Sequence, residues 1–141
     1  MNSIPVPESH LDLLTRPLTA VLTTLMPDGQ PQSTLVWCIY DGECASVDFS
    51  RSSQKALNLK RDPRLTLFVV DTEHTSRYIE IRGMAELTEE GAAQHRNRVH
   101  LKYTGIPHDN GDENRPGMTE NDRRVICRIR ALRINKDANM R

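Results

Sequence analysis

The chain is short of most features that announce a function. Its 19 basic and 19 acidic residues leave no formal net charge and a pI near 7.0, which argues against broad electrostatic adhesion to nucleic acid or to an anionic membrane. Any recognition of an anion must therefore be local. Three cysteines (Cys38, Cys44 and Cys127) form an odd, dispersed set without a Cys-x-x-Cys pair, so reduced thiols and a cytoplasmic setting are expected. Apolar runs are strand-sized, well below the ~20 residues of a membrane helix, and "MNSIPVPESH" lacks the basic and apolar regions of a secretory signal. No Gly-x-Ser-x-Gly, Walker or Gly-x-Gly-x-x-Gly sequence occurs, and no Cys–His signature or spaced carboxylate pair. The five histidines are scattered. His95 and His100 make a poor helical ligand pair, so no metal site is expected. If the protein is an enzyme, a bound cofactor carries its chemistry.

With 141 residues and no internal repeat or linker, residues 1–141 are read as one domain. "PESHLDLLTRP" predicts a short helix ending before Pro17. Residues 18–50 read as three strands joined by tight turns at "PDGQ" and "YDGE", each with the Asp-Gly pair of a hairpin. In the middle strand Leu35, Trp37 and Ile39 alternate with Val36, Cys38 and Tyr40, which predicts two covered faces, with Trp37 in the core or at a subunit interface. A helix follows, capped by Ser52 or Ser53 and stopped by Pro63, then the strands "RLTLFVVD" and "RYIEIRGMAEL". A second helix is expected from a Thr88 cap, then a polar loop over 104–121, which is read as a cover for a pocket, and a last strand "RRVICRIRALRI". Strands joined mainly by hairpins predict an α+β fold, an antiparallel sheet or barrel with peripheral helices.

One segment departs from the neutral average. "FSRSSQKALNLKRDPR" holds Arg51, Lys55, Lys60, Arg61 and Arg64 and opens on a run of serines. A helix start presents unpaired N–H groups and a partial positive charge. Ser50, Ser52 and Ser53 add hydroxyls there, and Arg51 and Lys55 add full charge, so an anion cradle is one reading. A capped helix with a solvated basic face is the other. Lys60, Arg61 and Arg64 suit a helix end and the strand after it.

"LTAVLTTLMPDGQPQSTLVWCIYDG", then "SRSSQKALNLKRDPRLTLFVV" and "YIEIRGMAEL", in this order, resemble the split β-barrel flavoproteins of the pyridoxamine-phosphate-oxidase-like class. The branch most like it is that of the deazaflavin (coenzyme F-420) dependent oxidoreductases. The resemblance spans roughly residues 8 to 88, with a weaker echo in the last strand. It implies a mainly antiparallel split barrel that forms a homodimer, with cofactor sites at the subunit interface.

The resemblance further implies that Gln32, Ser33, Thr34 and Val36 flank a flavin or deazaflavin ring. Ser50 would lie near the cofactor tail, Lys55 and Asn58 on a phosphate-contacting helix, and Tyr78 beside the cofactor. Gln54 stands where the oxidase relatives commonly carry an arginine, with Arg51 a turn earlier as a replacement donor. That difference points away from vitamin B6 oxidation itself. The expected activity is hydride transfer between coenzyme F-420, or FMN, and a small organic substrate, with no side chain as an obligate acid. The alternative is a non-catalytic binder of flavin, deazaflavin or tetrapyrrole.

Overall fold

In the computed structural model, residues 1–108 and 123–137 are described, so most of the expected 104–121 loop lies outside them. A 3-10 turn at Glu8–His10 leads into α1 (Asp12–Thr15), whose Leu13 and Leu14 are fully buried. The strands are β1 (Ala20–Leu25), β2 (Pro31–Val36), β3 (Ile39–Tyr40), β4 (Ala45–Ser50), β5 (Arg64–Val70), β6 (Tyr78–Thr88) and β7 (Arg124–Lys136). Two further helices, α2 (Gln54–Arg61) and α3 (Ala92–Thr104), pack against the sheet. All pairings are antiparallel, in the order β2-β1-β5-β6-β7-β4-β3, a seven-stranded half-barrel. Leu22, Val47, Leu67, Val69, Ile79, Ile81, Cys127 and Ile129 fill its interior.

Both Asp-Gly turns form, with Gly29 and Gly42 at positive φ, where a Cβ would be strained. Asp28 and Asp41 accept backbone N–H groups two residues on, which closes each turn locally. The run expected as a single middle strand is instead divided. β2 lies at one edge of the sheet and β3 at the other, with Trp37 and Cys38 forming a corner between them. Side chains of α3 satisfy that corner in place of a strand ladder. Cys38 N–H donates to Tyr103 Oη at 3.1 Å, and Lys102 Nζ donates to Cys38 O at 2.6 Å. Tyr103 Oη donates in turn to Leu18 O at 2.6 Å. Nor are both faces of β2 covered, since Leu35 is 73% exposed.

Two smaller differences have plain causes. β6 runs through Thr88, pairing as far as Ile126, so the helix starts later than a Thr88 cap would place it. Gly91, in the left-handed region, turns the chain into α3. Gly83 marks a register shift between β6 and β7, and a Cβ there would lie 2.3 Å from Arg130 O. Only glycine allows that approach.

Candidate functional site

The serine run folds as a built helix entry. Ser53 caps α2, its Oγ accepting from Ala56 N–H at 3.3 Å and donating to Ser50 O at 2.7 Å. Ser50 Oγ and Ser52 Oγ lie 3.0 Å apart. Behind this entry, two later cations of the segment, Arg61 and Arg64, have local partners. Arg64 forks onto Asp62, with Nη2 to Oδ2 at 2.7 Å, and Arg61 donates to Leu25 O.

Lys55 points elsewhere. With Ser50 and Ser53 it lines a cavity of about 640 Å³, within the usual range for small-molecule sites of roughly 300–1,000 Å³. β4 contributes Asp48 and Phe49, β7 contributes Arg124, and α3 contributes Arg96, Val99 and His100. Thr19, Leu35, Val36 and Trp37 also line it, and His108 stands just past the end of α3. The lining therefore joins cationic and hydroxyl-bearing side chains to apolar and aromatic ones. Trp37, 39% exposed, stacks on Tyr103 with 4.7 Å between centroids and an interplanar angle of 6°. It is a wall of the cavity, not a core residue.

Burial pulls Lys55 below its ordinary lysine value, and repulsion from Arg124 adds to the shift. Its ammonium lies 5.6 Å from the centroid of the Phe49 ring. Arg124 is anchored by Asp48: Nε donates to Oδ1 at 2.6 Å and Nη2 to Asp48 O at 3.0 Å. His95 holds the other carboxylate oxygen, with Nδ1 2.6 Å from Oδ2, and its Nε2 is 2.7 Å from Ser46 Oγ. Burial alone would raise Asp48; the His95 hydrogen bond and the Arg124 charge more than offset it and hold the carboxyl below its ordinary value. An ionised carboxylate only accepts, so His95 Nδ1 carries the proton and donates it.

The sequence model of the family described as "Pyridoxamine 5'-phosphate oxidase" matches residues 6–136. The chain belongs to that family. Among solved structures it is similar to an F420 reductase, at 30% identity and a TM-score of 0.78, covering 92% of this chain and 98% of that one. A conserved hypothetical protein from Mycobacterium tuberculosis is 31% identical with a TM-score of 0.73, covering 96% and 87%. A heme binding protein from Mycobacterium smegmatis shares the fold at 19% identity and a TM-score of 0.63, over 94% of this chain and 55% of that one. No curated protein matches.

Within this member of the pyridoxamine 5'-phosphate oxidase family, Val36, Ser50 and Lys55 of the sequence-derived candidates line the cavity. The others stand outside its lining. Gln32 and Gln54 bond to the fully buried Asn58: Asn58 Nδ2 donates to Gln32 Oε1 at 3.3 Å, and Gln54 Nε2 donates to Asn58 Oδ1 at 2.9 Å. Asn58 Nδ2 also donates to Thr24 Oγ1 at 3.0 Å, tying α2 to β1. Ser33 Oγ pairs with Thr23 Oγ1 at 2.9 Å on β1. Thr34 Oγ1 is closed off from solvent without a hydrogen-bond partner among the described residues. Arg51 reaches Glu89 at 3.3 Å, and Tyr78 stacks on Phe68 at 5.2 Å.

Asp48, His95, Arg96, His100 and Arg124 were not singled out by sequence reasoning as site residues. The signals for two of them were weak but present: an acid inside the apolar strand "ASVDFS", and the Arg123–Arg124 pair opening the last strand. Among the described residues no cluster of three metal-ligating side chains occurs, and no helix is long and apolar enough to cross a membrane. All three cysteines are buried and free, and burial pushes Cys127 up to about 12, which leaves it unsuited to nucleophilic work.

Proposed function

We propose that the chain is an oxidoreductase that transfers a hydride between the deazaflavin coenzyme F-420 and a small organic substrate, with FMN as the close variant cofactor. The observation that carries this reading is one cavity lined both by the cations Lys55 and Arg124 and by the apolar Val36 and Trp37. It suits a planar ring with an anionic tail. The residues fit the group. Lys55 is half-buried, and burial and the nearby Arg124 both disfavour its charge, so an anion beside it would relieve that cost. The F420 reductase at 30% identity supports the same reading.

In this proposal Lys55, Arg124, Ser50 and Ser53 hold the tail, together with the start of α2. Leu35, Val36 and Trp37 give the ring an apolar wall that keeps water from one side. When bound, the group supplies two-electron hydride transfer to an electrophilic carbon. Leu35, exposed on an edge strand at the cavity mouth, is the place where a second copy would complete the site as a homodimer.

The test is titration of the purified protein with F-420 and with FMN, followed by turnover of the reduced cofactor with an enone or quinone acceptor. Protein that is colourless as isolated and quenches deazaflavin fluorescence on mixing is the expected result. Yellow protein would assign FMN, and failure to bind either would overturn the proposal.

A tetrapyrrole binder is the second reading, and one observation favours it. His100 and His108 both line the cavity with ring centroids 4.9 Å apart, and His100 Nδ1 bonds Ile106 O at 3.1 Å, which leaves Nε2 as the ligating nitrogen. A Soret shift on adding haemin, lost in His100→Ala, would support it, and an unchanged haemin spectrum would remove it.

A further inference from the structure

Arg124 is held unusually firmly for a residue at a cavity wall. A guanidinium has five N–H donors. Two of them are used on Asp48, and the other three have no acceptor among the described residues. Its side chain is 28% exposed and lines the cavity that also holds Lys55. Behind it, Asp48 and His95 have side chains that are 3% and 2% exposed. The carboxylate is divided, one oxygen taking Arg124 Nε at 2.6 Å and the other His95 Nδ1 at 2.6 Å. His95 is fixed in turn by Ser46 at 2.7 Å. This arrangement spans three elements, from α3 through β4 to β7. It is more than a capped helix needs.

We propose that Arg124 is a second anion-binding residue of the cavity, and that Asp48 and His95 are positioning residues that aim its guanidinium at the ligand. The inference rests on the reading above that Lys55 and Arg124 face an anionic group, and extends it to the buried residues that aim Arg124 at that group. A cavity lined by several cations, Lys55 and Arg124 among them, suits a ligand with more than one anionic oxygen centre, such as a phosphodiester flanked by a carboxylate or a second phosphoryl group. His95 contributes without touching the ligand. By holding the second carboxylate oxygen it stops Asp48 from rotating, and so fixes the edge that Arg124 grips. Without that hold, Asp48 can swing both oxygens onto the guanidinium and occupy the donors meant for the ligand.

Inorganic pyrophosphate is the probe, with binding measured by calorimetry. Arg124→Gln should weaken it about 10-fold or more, a loss typical of a hydrogen bond to a charged group. His95→Leu should weaken it about 5-fold on the wild-type background and not at all on the Arg124→Gln background, since the effect travels through Arg124. His95→Asn, which keeps a donor near the Nδ1 position, should recover most of the loss. Equal effects of His95→Leu on both backgrounds, or no effect on either, would overturn the positioning role. Should His95→Leu not fold, the wild type decides the matter through the ¹⁵N signal of Arg124 Nε, identified by its loss in Arg124→Gln. That signal should shift on saturation with pyrophosphate, and a stationary signal, or no pyrophosphate binding at all, sinks the proposal. Binding of pyrophosphate without binding of F-420 or FMN would remove the cofactor assignment and leave this inference standing.

Discussion

Two buried polar knots hold this molecule together, and they differ in where they end. The first is centred on Asn58, fully buried beneath α2, which joins Gln54, Thr24 and Gln32. None of its members lines the cavity: Gln54 and Arg61 bond to Asn58 within α2, and Thr24 and Gln32 tie that helix to β1 and β2. The second is centred on Asp48, whose side chain is 3% exposed, and which joins His95 and Ser46 on one side and Arg124 on the other. It ends in the cavity. A knot that stays clear of the cavity is architecture; one that ends in a cavity-lining cation is, on the proposal above, a device for holding a ligand. What separates the two is whether a member reaches the cavity.

The sharpest way to break the comparison is Asn58→Leu. Removing a buried amide that serves several partners should destabilise the fold by about 2–4 kcal/mol, visible as a lower midpoint in urea. The protein that remains folded should bind pyrophosphate within about twofold of wild type. A large loss of affinity at unchanged stability would instead place Asn58 among the ligand contacts, as the family resemblance implies.

Lys55→Ala should do the reverse, weakening binding by about 1.5–3 kcal/mol while leaving the unfolding midpoint almost unmoved. A lysine whose charge is disfavoured by burial contributes little to stability, so its loss is cheap for the fold. The same shift sets a pH dependence. The ligand needs the ammonium form, and Lys55 loses its proton below the ordinary 10.5. Wild-type affinity should therefore fall as pH rises through that lowered value, and Lys55→Ala should lack this alkaline decline.

Acid separates the knots in a different way. Asp48 is held below its ordinary 3.8 in the folded state. Its contribution to stability is therefore present above the unfolded value and is lost as pH falls through the lower folded one. The amides and hydroxyl that tie Asn58 to Gln54, Thr24 and Gln32 carry no carboxyl to protonate. The stability gap between wild type and Asp48→Asn should accordingly narrow on acidification from pH 6 to pH 3, while the gap for Asn58→Leu stays constant. Parallel gaps for both variants would show that Asp48 is not the ionised centre of its knot.

Much of the fold was legible because its signals are local. The two Asp-Gly turns, the serine cap and the Pro63 stop each act within a few residues of themselves, and all were read from the sequence. The division of the middle strand was not legible, because Tyr103 and Lys102, far along the chain, satisfy the corner at Trp37–Cys38. The site shows the same limit. Lys55 and Ser50 were found because helix entry and charge coincide in one segment. Arg124 and His95 come to Asp48 from 76 and 47 positions away, and no spacing rule connects them.

Gln54 is the smallest test and bears directly on how far family resemblance can be carried. The oxidase relatives have an arginine there, which suggests a missing phosphate donor. In this chain, however, the Gln54 amide is spent on Asn58 at 2.9 Å, along the helix and outside the cavity lining. Gln54→Ala should then destabilise the fold by about 0.5–1.5 kcal/mol, the worth of one hydrogen bond, and leave pyrophosphate affinity unchanged. Should the affinity drop instead, the cavity reaches further round the helix entry than its present lining, and Gln54 would join Lys55 as a ligand contact. Should it hold, the second cation beside Lys55 comes from β7 as Arg124, and not from the helix position where the family pattern would seek it.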